Sequence, residues 1–361
     1  MTATVAIIGG GYGGVLAARE LDAVADVVLV EPRDAFVHNV AALRALVDPS
    51  WVDEIFLPYG SLLRRGRVVR DRAVEVTSHR VVLGSGEVIE PDITILATGS
   101  TYPFPAKVDV DHAELGKERI RAAHRALVDA SSVLVLGAGP AGLELAGEIR
   151  SALPATAVTI VDPGPDLLGG GFPDELRDEL RGQLADLGVE LLLGTALREP
   201  PSTEPGTFGP VEVTTGGGRT LRADIWFRCY GVVPTSGYLA GDLAGARRAD
   251  GHVRVTPELT VEGQVDVFAV GDLTDLPEAK MAKAAEIHAG TVADTIRRRL
   301  SGEGGEPSRY AVPSPGISLP LGPKGGASYN EAVGVLGAEQ TSGLKGTHLR
   351  LDDYRERLGL R

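Results

Sequence analysis

The chain has 361 residues, 43% hydrophobic and 24% charged, with a formal net charge of −13. That length holds two or three units with cores of their own. The acidity excludes a general nucleic-acid binder, which needs a basic surface to displace phosphate counterions. A single cysteine, Cys229, excludes both an internal disulfide and a C-x-x-C redox pair.

The seven histidines show no ligand spacing, so no metal is expected. No apolar run approaches the ~20 residues that cross a bilayer. The N-terminus enters its first strand at once, and Met1-Thr2 lacks the glycine that N-myristoylation requires. A cytoplasmic location is expected, with peripheral association at the inner face of a membrane as the variant.

In chain order, an apolar run at 5–8 stops at Gly9-Gly10-Gly11-Tyr12-Gly13-Gly14, and a helical stretch follows. Gly9, Gly11 and Gly14 have the G-x-G-x-x-G spacing of a dinucleotide turn. The first permits the turn, the second lets backbone approach a pyrophosphate, and the third lets helix pack on strand. The diphosphate would sit on free N–H groups at the positive helix end. A second buried strand, 27–30, delivers Glu31, 22 positions after Gly9, where a ribose-binding carboxylate belongs. Pro32 ends that strand, and Arg33 is placed near the adenine or the diphosphate. Residues 41–47 read as helical, with Arg44 facing either a phosphate or a surface carboxylate. Residues 67–88 alternate as a small antiparallel meander containing Val68-Val69, 73–76 and 80–83. A buried strand at 92–96 then ends in Ala97-Thr98-Gly99, which allows close approach of a ligand or a crossing chain. Tyr102-Pro103-Phe104-Pro105 reads as a linker, and 113–130 as a helix.

The opening pattern then returns. The strand 132–136 leads into Gly137-Ala138-Gly139-Pro140-Ala141-Gly142 and a helix, and the strand 157–161 ends at Asp162, 25 positions after Gly137. Two such units in the same strand–turn–helix setting are far stronger than one. A carboxylate at Asp162 accepts hydrogen bonds from a ribose 2′-hydroxyl and repels a 2′-phosphate, which predicts NADH over NADPH unless Arg177 or Arg181 reaches that phosphate. A helix at 174–187, strands at 189–193 and 211–213, and an apolar run from 223 to Gly231 follow. Cys229 in that run reads as a buried, inert thiol. From 265, Val-Asp-Val-Phe-Ala-Val-Gly271-Asp272 delivers an aspartate at a strand end, suited to a polyol hydroxyl or to a plain turn. Lys280-Met281-Ala282 opens a helix running to about 300, 301–307 is a linker, and the last segment carries strands at 317–319 and 332–336 and a charged helical end at 348–360.

Taken together, these motifs resemble the two-dinucleotide-fold, FAD-dependent pyridine nucleotide oxidoreductases. Within them, His38-Asn39-Val40-Ala41-Ala42-Leu43-Arg44 and Leu96-Ala97-Thr98-Gly99-Ser100 resemble the ferroptosis-suppressor and apoptosis-inducing-factor-homologous branch, itself similar to type II NADH dehydrogenases. The resemblance implies an α/β fold of two Rossmann-like domains in ββα layers, the second inserted in the first, plus a small C-terminal α+β segment. The expected bounds are 1–108 with 252–305 for FAD, 109–251 for NAD(P)H, and 306–361 for the C-terminal segment. It also implies that hydride passes from NADH to the flavin and two electrons pass on to a quinone-like acceptor.

By this resemblance Gly9, Gly11, Tyr12, Gly13, Gly14, Glu31, Arg33, Asn39, Arg44, Thr98, Gly99, Gly271, Asp272, Lys280, Met281 and Ala282 belong to the FAD site. Gly137, Gly139, Pro140, Ala141, Gly142, Glu144, Asp162 and Gly231 belong to the NAD site. Glu144 is either a nicotinamide-side acid or an acid favoured by the helix dipole. Lys280 is placed to offset negative charge on the reduced flavin, and His38 or His288 to relay a proton to the acceptor. Glu286 departs from the family pattern. Two other functions stay open: a reductase of an iron–sulfur protein, docking on a basic patch around Arg297-Arg298-Arg299, and a low-turnover redox-sensing protein.

Overall fold

A computed structural model describes residues 2–302 and 306–360, so residues 303–305 of the expected linker lie outside the described residues. The helices are α1 (Tyr12–Leu21), α2 (Ala42–Val47), α3 (Ala113–Val128), α4 (Pro140–Ala152), α5 (Asp174–Asp186), α6 (Ala282–Ser301), α7 (Ala338–Thr341) and α8 (Leu351–Arg357).

The first sheet has five parallel strands in the order Val267–Ala269, Ile93–Leu96, Thr4–Ile8, Asp26–Val30, Arg67–Val69. Side chains alternate across a strand. Val5 and Ile7 therefore join the core shared with α1 and α6, while Ala6 and Ile8 join the one shared with the meander. Both faces are covered, so the strand is apolar throughout. The second sheet repeats this layering with four parallel strands, Val189–Leu192, Ala157–Val161, Ser132–Leu136 and Ile225–Arg228. Val133 and Val135 face α4 and α5, and Leu134 and Leu136 face the hairpin Val211–Thr214 and Thr220–Ala223. In each sheet the glycine turn follows a central strand, flanked on one side by the strand that ends in the acid. A ligand at such a sheet sits beyond the carboxyl ends of the strands.

The chain passes between the two units twice, side by side, where Ser100–Thr101 pairs antiparallel with Val233–Pro234. The strand Val267–Ala269 comes after the second sheet yet completes the first. The C-terminal segment adds a three-stranded antiparallel sheet, Ile317–Leu321, Gly325–Asn330 and Gly334–Leu336, laid on α4 and α5. Helix α8 buries Leu351 and Tyr354, and its C-cap Leu358, in the core of the first unit.

Three element readings are corrected. Val68-Val69 lies outside the meander: Arg67–Val69 pairs parallel with Asp26–Val30, and a three-residue strand is too short for periodicity to tell the two apart. The meander is Ala73–Thr77, Arg80–Leu83 and Val88–Ile89. The strand Gly325–Asn330 was not expected, because its small residues show no alternation; residues 332 and 333 are turn, and α8 is shorter than 348–360.

Candidate functional site: two glycine turns and a charged seam

The two turns are built alike. A methyl group added at Gly14 would overlap the Gly9 carbonyl oxygen, and one at Gly142 the Gly137 carbonyl oxygen. Helix and strand are that close, so only glycine fits. Gly11 and Gly139 do the opposite: a Cβ at either would meet nothing within 4 Å. Both residues are the N-caps of α1 and α4, and neither helix start is capped by a side chain. Free N–H groups at the positive end of a helix thus face open space in both units, and the residues present fit a diphosphate at each. Pro140 and Ala141 open α4, and Gly13 packs α1 against Val270 and Ala285.

The acids complete the parallel. Glu31, 3% exposed, accepts the Gly10 N–H at 2.6 Å and the Arg33 N–H at 3.0 Å. Asp162 accepts the Ala138 N–H at 2.7 Å and the Gly164 N–H at 2.6 Å. Each carboxylate is held at the lip of its turn with oxygen lone pairs to spare. The second turn opens into a cavity of about 590 Å³, lined by Gly137, Gly139, Asp162, Leu168, Arg177 and Tyr230 among others. Neither arginine near it is free. Arg177 donates to the carbonyls of Leu167, Leu168, Gly170 and Phe172 and to Asp174. Arg181 pairs with Asp166 at 2.5 Å and Asp178 at 2.8 Å.

Around the first turn, Asp272 accepts the Ser100 hydroxyl at 2.6 Å and pairs with Lys107 at 3.1 Å. Lys107 went unmarked in the sequence because it follows a stretch that reads only as a linker. The Thr98 hydroxyl donates to Thr235 O at 2.6 Å, Gly99 bonds the Thr235 N–H through its own carbonyl, and Gly231 turns with φ +94° beside Arg228. Asn39 accepts the Val108 N–H. Met281 caps α6 and Ala282 begins it. Lys280 donates to Thr274 O at 2.8 Å and Leu276 O at 2.9 Å, and burial lowers its pKa.

A charged seam joins the units. Arg44 is buried, with Nε 2.6 Å and Nη2 2.8 Å from the two carboxylate oxygens of Glu148 on α4. Its Nη2 also donates to Gly346 O at 2.9 Å, and its guanidinium lies 5.6 Å from the centre of the Trp51 ring. One turn away, Glu144 pairs with Lys345 at 2.8 Å. The pairings link residues 104 and 201 positions apart, so no sequence spacing reports them.

His38 is fully buried in an aromatic nest. Its Nε2 lies 2.7 Å from Leu349 O, so Nε2 carries the proton and Nδ1 faces the Tyr12 hydroxyl at 3.4 Å. Burial pushes its pKa down to about 4. Tyr12 also accepts the Val40 N–H and stands edge-on to Phe36 and Tyr354. The unexpected acid Glu286 is neutralised by α8: it accepts the Tyr354 hydroxyl and lies 2.9 Å from Arg357. The expected basic patch is spent: Arg297 pairs with Glu20, Arg298 with Asp294 and Arg299 with Asp266. Cys229 is buried and its thiol is pushed up to about 12, so it is inert at neutral pH. Among the described residues no cluster could hold a metal ion, and no helix is long and apolar enough to cross a membrane.

Fold and turns together define an oxidoreductase built on two dinucleotide-binding sheets. The chain belongs to the pyridine nucleotide-disulphide oxidoreductase family, whose pattern matches residues 3–289. It works with FAD and a pyridine nucleotide, although with one cysteine it has no disulfide of its own. It is 33% identical to ferroptosis suppressor protein 1 of Taeniopygia guttata over 82% of this chain and 81% of that one. It is 28% identical to apoptosis-inducing factor homolog B of Dictyostelium discoideum, over 98% and 96%. Among solved structures, the sulfide:quinone oxidoreductase of Aquifex aeolicus shares the fold, with TM-score 0.75 and 18% identity, over 99% of this chain and 92% of that one.

Proposed function

We propose that this protein oxidises NADH and passes the two electrons to a quinone-like acceptor. The observation that carries the reading is the repeated turn, with free N–H groups and a lip carboxylate in each sheet, backed by the seam that fixes one unit against the other. In this reading residues 1–108 and 252–305 hold FAD, residues 109–251 take NADH, and 306–361 shape the acceptor side. Bound at the first turn, FAD supplies the acceptor for hydride and the relay of two electrons.

The residues do the rest. Gly11 and its neighbours bind one diphosphate, and Glu31 and Asp272 orient the two ends of that cofactor. Gly139 and Asp162 bind and orient NADH. Asp162 sets the preference for NADH because Arg177 and Arg181, already bound to carbonyls and carboxylates, offer nothing to a 2′-phosphate. Lys345 and Glu144 hold a charged pair on the face of α4 near its start, and His38, neutral at physiological pH with both ring nitrogens engaged inside the protein, anchors the aromatic nest and supplies no proton. A quinone fits as acceptor because the electrons can leave without a thiol relay: the one cysteine is buried and inert.

The test is kcat/KM for NADH and NADPH with a soluble quinone. NADH favoured by about 10-fold or more supports the reading. Preference for NADPH refutes the nucleotide assignment. Flavin reduced by NADH but never reoxidised by quinones refutes the acceptor.

A further inference from the structure

Beneath the turn that presents Asp272 lies a buried trio with no part in the chemistry above. His288, on α6, is 1% exposed. Its Nδ1 accepts the Gly271 backbone N–H at 3.0 Å, so the ring proton sits on Nε2. Nε2 lies 2.8 Å from Glu278 Oε1, at an angle too bent for a full hydrogen bond. The second carboxylate oxygen accepts the Tyr310 hydroxyl at 2.5 Å. The Tyr310 ring stands edge-on to the imidazole, with centroids 4.3 Å apart, and its backbone is fastened to Pro257 O. A carboxylate beside one ring nitrogen fixes the tautomer and strengthens the other nitrogen as an acceptor, as it does for imidazoles that hold metals.

Gly271 needs such a hold. It turns with φ +72°, and a Cβ there would stand 3.0 Å from Ala285 Cβ, so it has no side chain to anchor it. Its carbonyl accepts the Thr274 hydroxyl at 3.0 Å. Both polar groups of this peptide turn are thus tied to side chains buried beneath the site, and the next residue is Asp272.

We propose that His288, backed by Glu278 and Tyr310, is a positioning residue for the flavin site. It fixes the Gly271 backbone and thereby the direction of the Asp272 carboxylate. It relays no proton, because both ring nitrogens face the protein interior. The proposal rests on the reading of Asp272 as an FAD contact.

Two variants test it. In His288→Asn the amide oxygen occupies the place of Nδ1 and still accepts the Gly271 N–H; in His288→Leu that N–H is left buried and unpaired. The dissociation constant for FAD is read from flavin fluorescence on the full chain, with the KM for NADH measured beside it. His288→Leu is expected to weaken FAD binding about 10- to 100-fold, as a buried unpaired donor at the site implies. His288→Asn should stay within about 3-fold of wild type, and the KM for NADH should not move. FAD binding unchanged in His288→Leu, or weakened equally in both variants, overturns the proposal. Should the leucine variant not fold, Glu278→Gln stands in: a rise of about 3-fold or more in the FAD constant supports the proposal, and an unchanged constant overturns it. Wild-type protein that binds no FAD sinks the function reading itself, whereas wild-type binding with an unaffected leucine variant sinks this inference alone.

Discussion

Replacing Glu148 by glutamine removes the carboxylate that Arg44 was folded around. Arg44 is 6% exposed and Glu148 3%, so water cannot take over. Glutamine keeps the volume and one acceptor oxygen. Of the two contacts at 2.6 and 2.8 Å, one then becomes donor against donor. The remaining bond to Gly346 O, at 2.9 Å, carries no countercharge. Breaking one side of a buried pair costs about 3–5 kcal/mol. At roughly 2 °C per kcal/mol for a chain of this size, Tm should fall by about 6–10 °C. Burial already raises the pKa of Glu148 against the pull of Arg44, which shows how little solvent compensates there. The double variant Arg44→Met with Glu148→Leu leaves no orphaned charge and should recover most of the loss. Both are measured by thermal unfolding of flavin-saturated protein, with the flavin-to-protein ratio recorded beside it. A single variant within about 1 kcal/mol of wild type, or a double variant no better than the single, refutes the account of this seam.

Three further outcomes follow from the same geometry. His38 has a folded pKa near 4 against about 6.5 in an unfolded chain, so the unfolded state takes up the proton first. Stability should fall by up to about 3 kcal/mol as pH drops from 6.5 to 4, and His38→Gln should lack that part of the acid slope; identical slopes in denaturant titrations would contradict it. Arg177→Ala frees four carbonyls of the loop beside the NADH cavity, so KM for NADH should rise with kcat nearly constant and NADPH use should not improve; selective loss of NADPH turnover would show that the arginine reads a 2′-phosphate instead. Lys107→Met strips Asp272 of its cation and should raise the FAD dissociation constant several-fold while sparing NADH binding, and an unchanged constant would remove Lys107 from the site.

The sequence showed whatever is local. Each glycine turn lies within about 25 positions of its own strands and its own acid, Glu31 or Asp162, and steric need dictates Gly9, Gly14, Gly137 and Gly142. The late strand Val267–Ala269 was legible as a strand delivering an aspartate, and the structure shows it seated beside Ile93–Leu96. What joins distant segments was hidden. Arg44 reads as a cation with a phosphate or a carboxylate to meet, and only the approach of α2 to α4 gives it Glu148. Lys345, Lys107 and Tyr354 sit in stretches without periodicity and gain their meaning from residues 201, 165 and 68 positions away. Glu286 looked like a misplaced acid until α8 supplied Arg357 and Tyr354.

The most direct test of the central claim is an anaerobic titration of the purified, FAD-reconstituted protein followed by its flavin absorbance. The account predicts about one FAD per chain, bleaching by one equivalent of NADH, and full return of the bands on adding a soluble quinone. Failure to bind FAD, or bound flavin that NADH does not bleach, would contradict it.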